Sequence, residues 1–218
     1  MKDMDELGAA QEYLGYWLPE AAGGDPPLLS AAQWRSCLVE SAPPESRGER
    51  VAYGVKFSPD GAEVAVACAV LPAPGGTPHV ELAHCEPASR GTAWLADWLA
   101  ERSGRACAVA VDGKSGAGAL CDALQQRAAP RGYVVRPTAD QAVSAAGAIY
   151  EGVSTGAVTH IADEALELSA TTSTRRPIGS AGGWGWGGPS SAPIEACGLA
   201  LWALRSSKRN PKRRSRLL

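Results

Sequence analysis

Two carboxylates stand out because of where they lie. Asp112 follows the apolar run Cys107–Val111 (CAVAV) and precedes Gly113. Such a run reads as a strand buried on both faces, and open α/β sheets bind ligands beyond the carboxyl ends of their strands. An Asp-Gly pair also serves as an ordinary turn capping the next helix, so Asp112 carries both readings. Glu195 is the one charge in Ile194–Leu204 (IEACGLALWAL). A carboxylate on a buried helix is costly unless it is paired or binds a metal. An acid in a first turn also complements the helix dipole, so Glu195 too stays open at this stage.

Other candidates fall on spacing. Asp112-Gly113-Lys114-Ser115 resembles a phosphate loop, but the motif needs glycine at position 108, which is Ala108 inside the strand. Gly152–Gly156 matches G-x-S-x-G but ends a helix instead of joining a strand to one. His79, His84 and His160 lack metal-ligand spacing and fit structural or surface roles. Arg175 and Arg176 open a segment containing GGWGWGG. Arginines beside glycines and indoles suit a phosphate-contacting loop; a hairpin whose tryptophans cover the core edge fits equally. The terminal run with Lys208, Arg209, Lys212, Arg213 and Arg214 is a dense cationic tail. It is expected to be disordered when free and to bind polyanions without sequence preference, or else to act as a solubilising end.

The elements that must position these groups follow from periodicity. Residues 1–50 read as an irregular arm, with short helices at Glu6–Trp17 and Ser30–Val39. Val51–Phe57, Glu63–Leu71 and His79–His84 are predicted strands, the first two joined by the turn Ser58-Pro59-Asp60-Gly61. Then come a helix at Thr92–Arg102, the strand Cys107–Val111, a helix at Gly118–Ala128, a short strand at Tyr133–Arg136 and a helix at Ala139–Val153. A short strand at Val158–Ile161, a short helix at Asp163–Ala170, the Gly/Trp-rich excursion Arg175–Gly188 and an apolar helix at Pro193–Leu204 complete the chain. An antiparallel meander followed by α-β-α-β-α predicts a five-stranded mixed α/β sheet with helices on both faces, in the RNase H-like order. Val51–Phe57 is expected at its centre, with Cys107–Val111 parallel beside it.

Bulk composition narrows the class. The 218 residues fit one domain with flanking segments, and 45% apolar content supports a core. A net charge of −2 excludes a uniformly basic nucleic-acid binder, although acids dominate the first fifty residues and Lys/Arg the last fifteen. Six cysteines without CxxC spacing argue against a zinc site and fit a reducing cytoplasm. The acidic N-terminus lacks an apolar signal core, and no stretch is long enough to span a membrane.

Four segments together resemble the large subunit of actinobacteriophage DNA-packaging terminases. EYLGYW…LLSAAQW is similar to the end of the packaging ATPase and its linker. VAYGVKFSPDGAEVAVA resembles the first hairpin of the terminase nuclease domain, and AVAVDGKSGAGALCDAL its central strand and helix. RPIGSAGGWGWGG…APIEACGLALWAL resembles the closing loop and last helix. The specificity lies in their order, which covers most of the chain. The resemblance implies an arm at 1–50, an RNase H-like nuclease domain at 51–205 and a basic tail at 206–218. It implies a two-metal endonuclease using Mg²⁺ or Mn²⁺ on concatemeric double-stranded DNA in the bacterial host cytoplasm. Its partners would be the terminase ATPase domain, the small terminase and the portal. Asp112 and Glu195 match the second and third acids of such a site. At the first-acid position this chain has Lys56, and Walker segments are absent. Asp60 lies at the hairpin tip and is a poor substitute. Because Lys56 alternates with Val55 and Phe57, it is expected on the face that holds Asp112. The alternatives are a catalytically inactive DNA-binding or assembly module and an unrelated small-molecule α/β enzyme.

Overall fold

The computed structural model describes residues 25–44, 48–180 and 182–212. The expected helix at Glu6–Trp17, together with Arg213 and Arg214, lies outside them. In chain order the elements are α1 (Ala31–Arg35), β1 (Arg50–Phe57), β2 (Glu63–Leu71), β3 (His79–Pro87), α2 (Ala93–Arg102), β4 (Ala108–Asp112), α3 (Ala117–Gln126), β5 (Val134–Val135), α4 (Ala139–Ser154), α5 (Glu164–Thr172), β6 (Thr174–Ile178), β7 (Gly183–Gly187) and α6 (Ala192–Ser206). Strands β1–β5 form one sheet in the order β3-β2-β1-β4-β5. β1 is therefore central, antiparallel to β2 and parallel to β4.

Residue size divides the two faces of this sheet. Side chains alternate along a strand, and here the alternation is large against small. Val51, Tyr53, Val55 and Phe57 of β1 share a cluster with Val64, Val66 and Val70 of β2 and with Val109 and Val111 of β4. Helices α2 and α3 cover that face through Leu95, Leu99, Leu120 and Leu124. The opposite face is paved with Ala52, Ala65, Ala67, Ala69, Ala108 and Ala110, and α4, α5 and α6 lie on it. Lys56 and Asp112 end the alanine rows of β1 and β4 and are register partners.

Small residues let a helix come very close. A Cβ on Gly54 would lie 2.1 Å from the Ala196 carbonyl oxygen and 2.5 Å from the Ala200 nitrogen. The backbone of α6 thus rests on the central strand without an intervening side chain. Gly198, on the same helix, would meet the Ala145 carbonyl of α4 at 2.7 Å.

Several sequence expectations are corrected. The helix at Ser30–Val39 is only α1, five residues closed by a Ser30–Gln33 capping box. Its surroundings are docked: Leu28 N–H donates to the Ser173 carbonyl, and Trp34 stacks on His160 at 3.9 Å. Val158–Ile161 forms two isolated bridges, Thr159 to His79 and His160 to Leu38, instead of a strand. β3 extends to Pro87. The Gly/Trp-rich excursion is a separate two-stranded hairpin, with Trp186 fully buried as core cover. The histidines are structural: His79 and His160 are buried, and His84 packs edge-on to Trp94 and Trp98.

The close approach at Gly54 is a sharp target. Gly54→Ala should lower stability by about 3 kcal/mol, because the methyl overlaps backbone and cannot be relieved by a rotamer change. Urea denaturation reads this directly. A change under about 0.5 kcal/mol, the size of an ordinary surface substitution, would mean that α6 does not rest on β1.

Candidate active site

The sheet delivers two of the three groups and α6 the third. Lys56 ends the small-residue row of β1, one pairing position across from Asp112 at the carboxyl end of β4. Glu195 enters from the first turn of α6, one residue before the Ala196 carbonyl that touches Gly54. The helix contact and the carboxylate are therefore one construction.

All three meet at one nitrogen. Lys56 Nζ lies 2.5 Å from Asp112 Oδ2 and 2.7 Å from Glu195 Oε2. The Lys56 and Glu195 side chains are 8% and 10% exposed, and Asp112 30%. Burial alone pulls the ammonium toward its neutral form and is the largest single influence on it. Glu195 and then Asp112 act against it, and together they raise the Lys56 pKa above its ordinary value. Lys56 accordingly stays charged throughout the neutral range. A group with a raised folded-state pKa contributes its stability below the unfolded value and loses it only as pH climbs through the folded one. For Lys56 that loss lies on the far alkaline side.

The β6–β7 hairpin supplies a second cation. Arg176 Nη2 is 3.6 Å from Glu195 Oε2, and Arg176 Nε donates to the Trp186 carbonyl at 3.2 Å. Bare glycine on the neighbouring strand makes this possible, since a Cβ on Gly187 would strike Arg176 Cβ at 2.9 Å. Lys56, Asp112, Arg176 and Glu195 line one small cleft, walled by Ala142, Ala145 and Ala146 of α4 and by Trp186. Arg175 stands apart, exposed, with its guanidinium 4.8 Å over the Trp184 ring. Asp60 is tied up in its turn, accepting from Ser58 Oγ and Ala62 N–H.

The tail is only partly as expected. Residues 206–212 do not hang free. Arg209 donates to the Ala106 and Ser103 carbonyls and lies over Tyr133, and Ser207 Oγ donates to the Cys107 carbonyl. Arg209 is therefore engaged with backbone carbonyls. Lys208 and Lys212 remain exposed, Lys212 3.5 Å from Glu49. These anchors sit at the amino end of β4. Glu195 and Ser206 are eleven residue steps apart along α6, about 17 Å at 1.5 Å per residue. The tail leaves from the pole opposite the acid pair.

Sequence reasoning missed Ser191, whose hydroxyl donates to Glu195 Oε1 at 3.1 Å. Its signal was the i, i+4 spacing from Ser191 to Glu195, hidden because Pro193 looked like the helix start. Among the described residues no cluster of three His, Cys, Asp or Glu could hold a metal. The acid pair supplies hard oxygen donors, but an ammonium fills the space between them, so the residues present do not fit a two-ion centre. No helix among the described residues is long and apolar enough to cross a membrane.

No protein-family model and no curated protein matches the sequence. Solved structures do match the fold. The large terminase of bacteriophage HK97 superposes with a TM-score of 0.62 at 13% identity, over 83% of this chain and 44% of that one. The chain thus spans less than half the length of that terminase. The large terminase nuclease of the thermophilic phage G20c superposes at 0.53 with 12% identity, over 78% of this chain and 95% of that one. The same nuclease with bound cobalt superposes at 0.53 with 10% identity, over 81% and 98%. The chain has the RNase H-like fold of phage large-terminase nuclease domains.

Proposed function

We propose that this chain is the nuclease-fold domain of a phage DNA-packaging machine, with Asp112 and Glu195 as its phosphodiester-cleaving pair and Lys56 as a built-in restraint on cleavage. The observation that carries this is the meeting of both carboxylates on one buried ammonium, at the carboxyl ends of the two central strands. Its substrate is double-stranded DNA. Its working partners are the packaging motor and the portal, in the host cytoplasm.

The chemistry follows from charge. Even at about 4 Å an ammonium and a carboxylate attract by roughly 4 kcal/mol at an effective dielectric near 20, before desolvation is subtracted, and both pairs here are closer. An incoming Mg²⁺ or Mn²⁺ must displace a tethered, fully charged competitor from two carboxylates. Binding is therefore weak and confined to one site at most, and the wild-type domain nicks DNA slowly or not at all. Arg176 lines the cleft and would meet a strand's phosphates there, and the exposed Arg175, over Trp184, would meet them beside it. The filled centre equally favours a second reading, an inactive DNA-binding or assembly module that keeps the fold.

Supercoiled-plasmid nicking with Mn²⁺, Mg²⁺ or EDTA separates the two. Lys56→Asp should create or increase Mn²⁺-dependent nicking, and adding Asp112→Ala should abolish the gain. Robust wild-type cleavage with no benefit from Lys56→Asp overturns the restraint. The same substitution should cost about 3–5 kcal/mol in EDTA, the usual penalty for stranding buried charges, and Mn²⁺ should return part of it.

The tail has its own test. Removing residues 213–218 leaves the Arg209 anchor in place and should weaken DNA binding while flattening its salt dependence. An unchanged slope of affinity against salt would make the segment a solubiliser.

A further inference from the structure

Glu195 has one oxygen facing the cations and the other tied down. Lys56 Nζ and Arg176 Nη2 lie against Oε2, at 2.7 and 3.6 Å. Ser191 Oγ lies 3.1 Å from Oε1. A carboxylate facing a lysine and an arginine only accepts, so the serine hydroxyl donates. Ser191 is 1% exposed and stands at the start of α6 in helical backbone conformation, φ −76° and ψ −14°. A serine at a helix start commonly turns its oxygen to a free backbone N–H. This one makes no such bond.

The free amide of Ile194 is satisfied from elsewhere. It donates to Ser169 Oγ of α5 at 3.0 Å, and Ser169 is fully buried. The two serines divide the labour: Ser169 completes the helix end, which leaves the Ser191 hydroxyl for the carboxylate. We infer that Ser191 is a positioning residue that holds Glu195 in the rotamer presenting Oε2 beside Asp112, and that Ser169 frees it for that role. This rests on Glu195 being a working carboxylate of the proposed site.

A double-mutant cycle on the full chain tests it by urea denaturation, with Ser191→Ala, Lys56→Met and both. Loss of a hydrogen bond to a charged group should lower the folding constant about tenfold. That factor should change by about fivefold or more once Lys56 is Met, because both residues act on one carboxylate. Equal factors in the two backgrounds, within about twofold, would leave Ser191 as a plain helix start and overturn the inference. Ser191→Asp sharpens the contrast. Aspartate serves a helix start as well as serine does, but it places a like charge against Glu195. It should be no more stable than Ser191→Ala, and wild-type stability would count against the inference.

The second arm reads metal, by electron paramagnetic resonance of free Mn²⁺. In the Lys56→Asp protein, Ser191→Ala should weaken Mn²⁺ binding about tenfold, as loss of a supporting hydrogen bond does, and Ser191→Thr should restore it. An unaltered affinity would overturn the positioning role. If Lys56→Asp binds no Mn²⁺ at all, the nuclease reading falls instead, and the urea cycle still decides Ser191.

Discussion

Backbone rests directly on backbone where α6 crosses the central strand, and the rest of the molecule is arranged to allow it. At Gly54 there is no room for a single methyl group. The alanines that surround it on β1, β2 and β4 keep the face shallow, so the helix lies low along its length. Its apolar residues fill the space that larger strand residues would have taken. The cost is a face with little hydrophobic area of its own. The helix compensates by being buried almost all round: Ile194, Ala196, Cys197, Leu199, Ala200, Leu201, Ala203 and Leu204 are all enclosed. Bulk is concentrated on the other face, under α2 and α3. The asymmetry has a functional consequence. The low helix brings the Glu195 carboxylate down to strand level, where Asp112 already projects, and a helix standing on valines and leucines would hold it farther off.

Bringing two carboxylates into a site this enclosed requires positive charge. An acid cluster of the kind that binds hard cations repels itself when empty and depends on the ions for balance. Lys56 gives this chain that balance internally. Its ammonium reaches both acids, and Arg176 adds a second cation from the hairpin. Two acids and two bases make the cleft neutral without any ion. A lysine is a point charge with three donors and no capacity to accept. It can therefore hold the carboxylates together, yet it offers no coordination position for an attacking or leaving oxygen.

How far the sequence disclosed this depends on the kind of signal. Strand identity and order were legible because the period-two pattern is uninterrupted in Val51–Phe57 and Glu63–Leu71 and the buried parallel strand reads as one apolar run. Asp112 was legible because a strand end is a position, and Glu195 because it is alone among apolar residues. Lys56 could be placed on the Asp112 face by alternation alone. What escaped were interactions made with backbone. Nothing in a run of lysines and arginines shows that Arg209 will be drawn onto the carbonyls of Ser103 and Ala106, since every residue has a carbonyl. Trp34 and His160, 126 positions apart, find each other only through the fold. Ser191 was lost to a boundary error of one residue, within the scatter normal for helix starts.

The placement of the tail bears on how the domain would meet DNA. Its anchor and the acid pair sit at opposite ends of α6, and Arg50, Arg209 and Ser207 clasp the chain to the amino ends of β1 and β4. The two poles lie about 17 Å apart along α6, the length of roughly five base pairs at 3.4 Å each. Arg209 is thus held well outside the cleft. On the proposed function, counterion release at one pole and carboxylate chemistry at the other would be separable. A restraint such as Lys56 at one pole therefore leaves the cations at the other untouched.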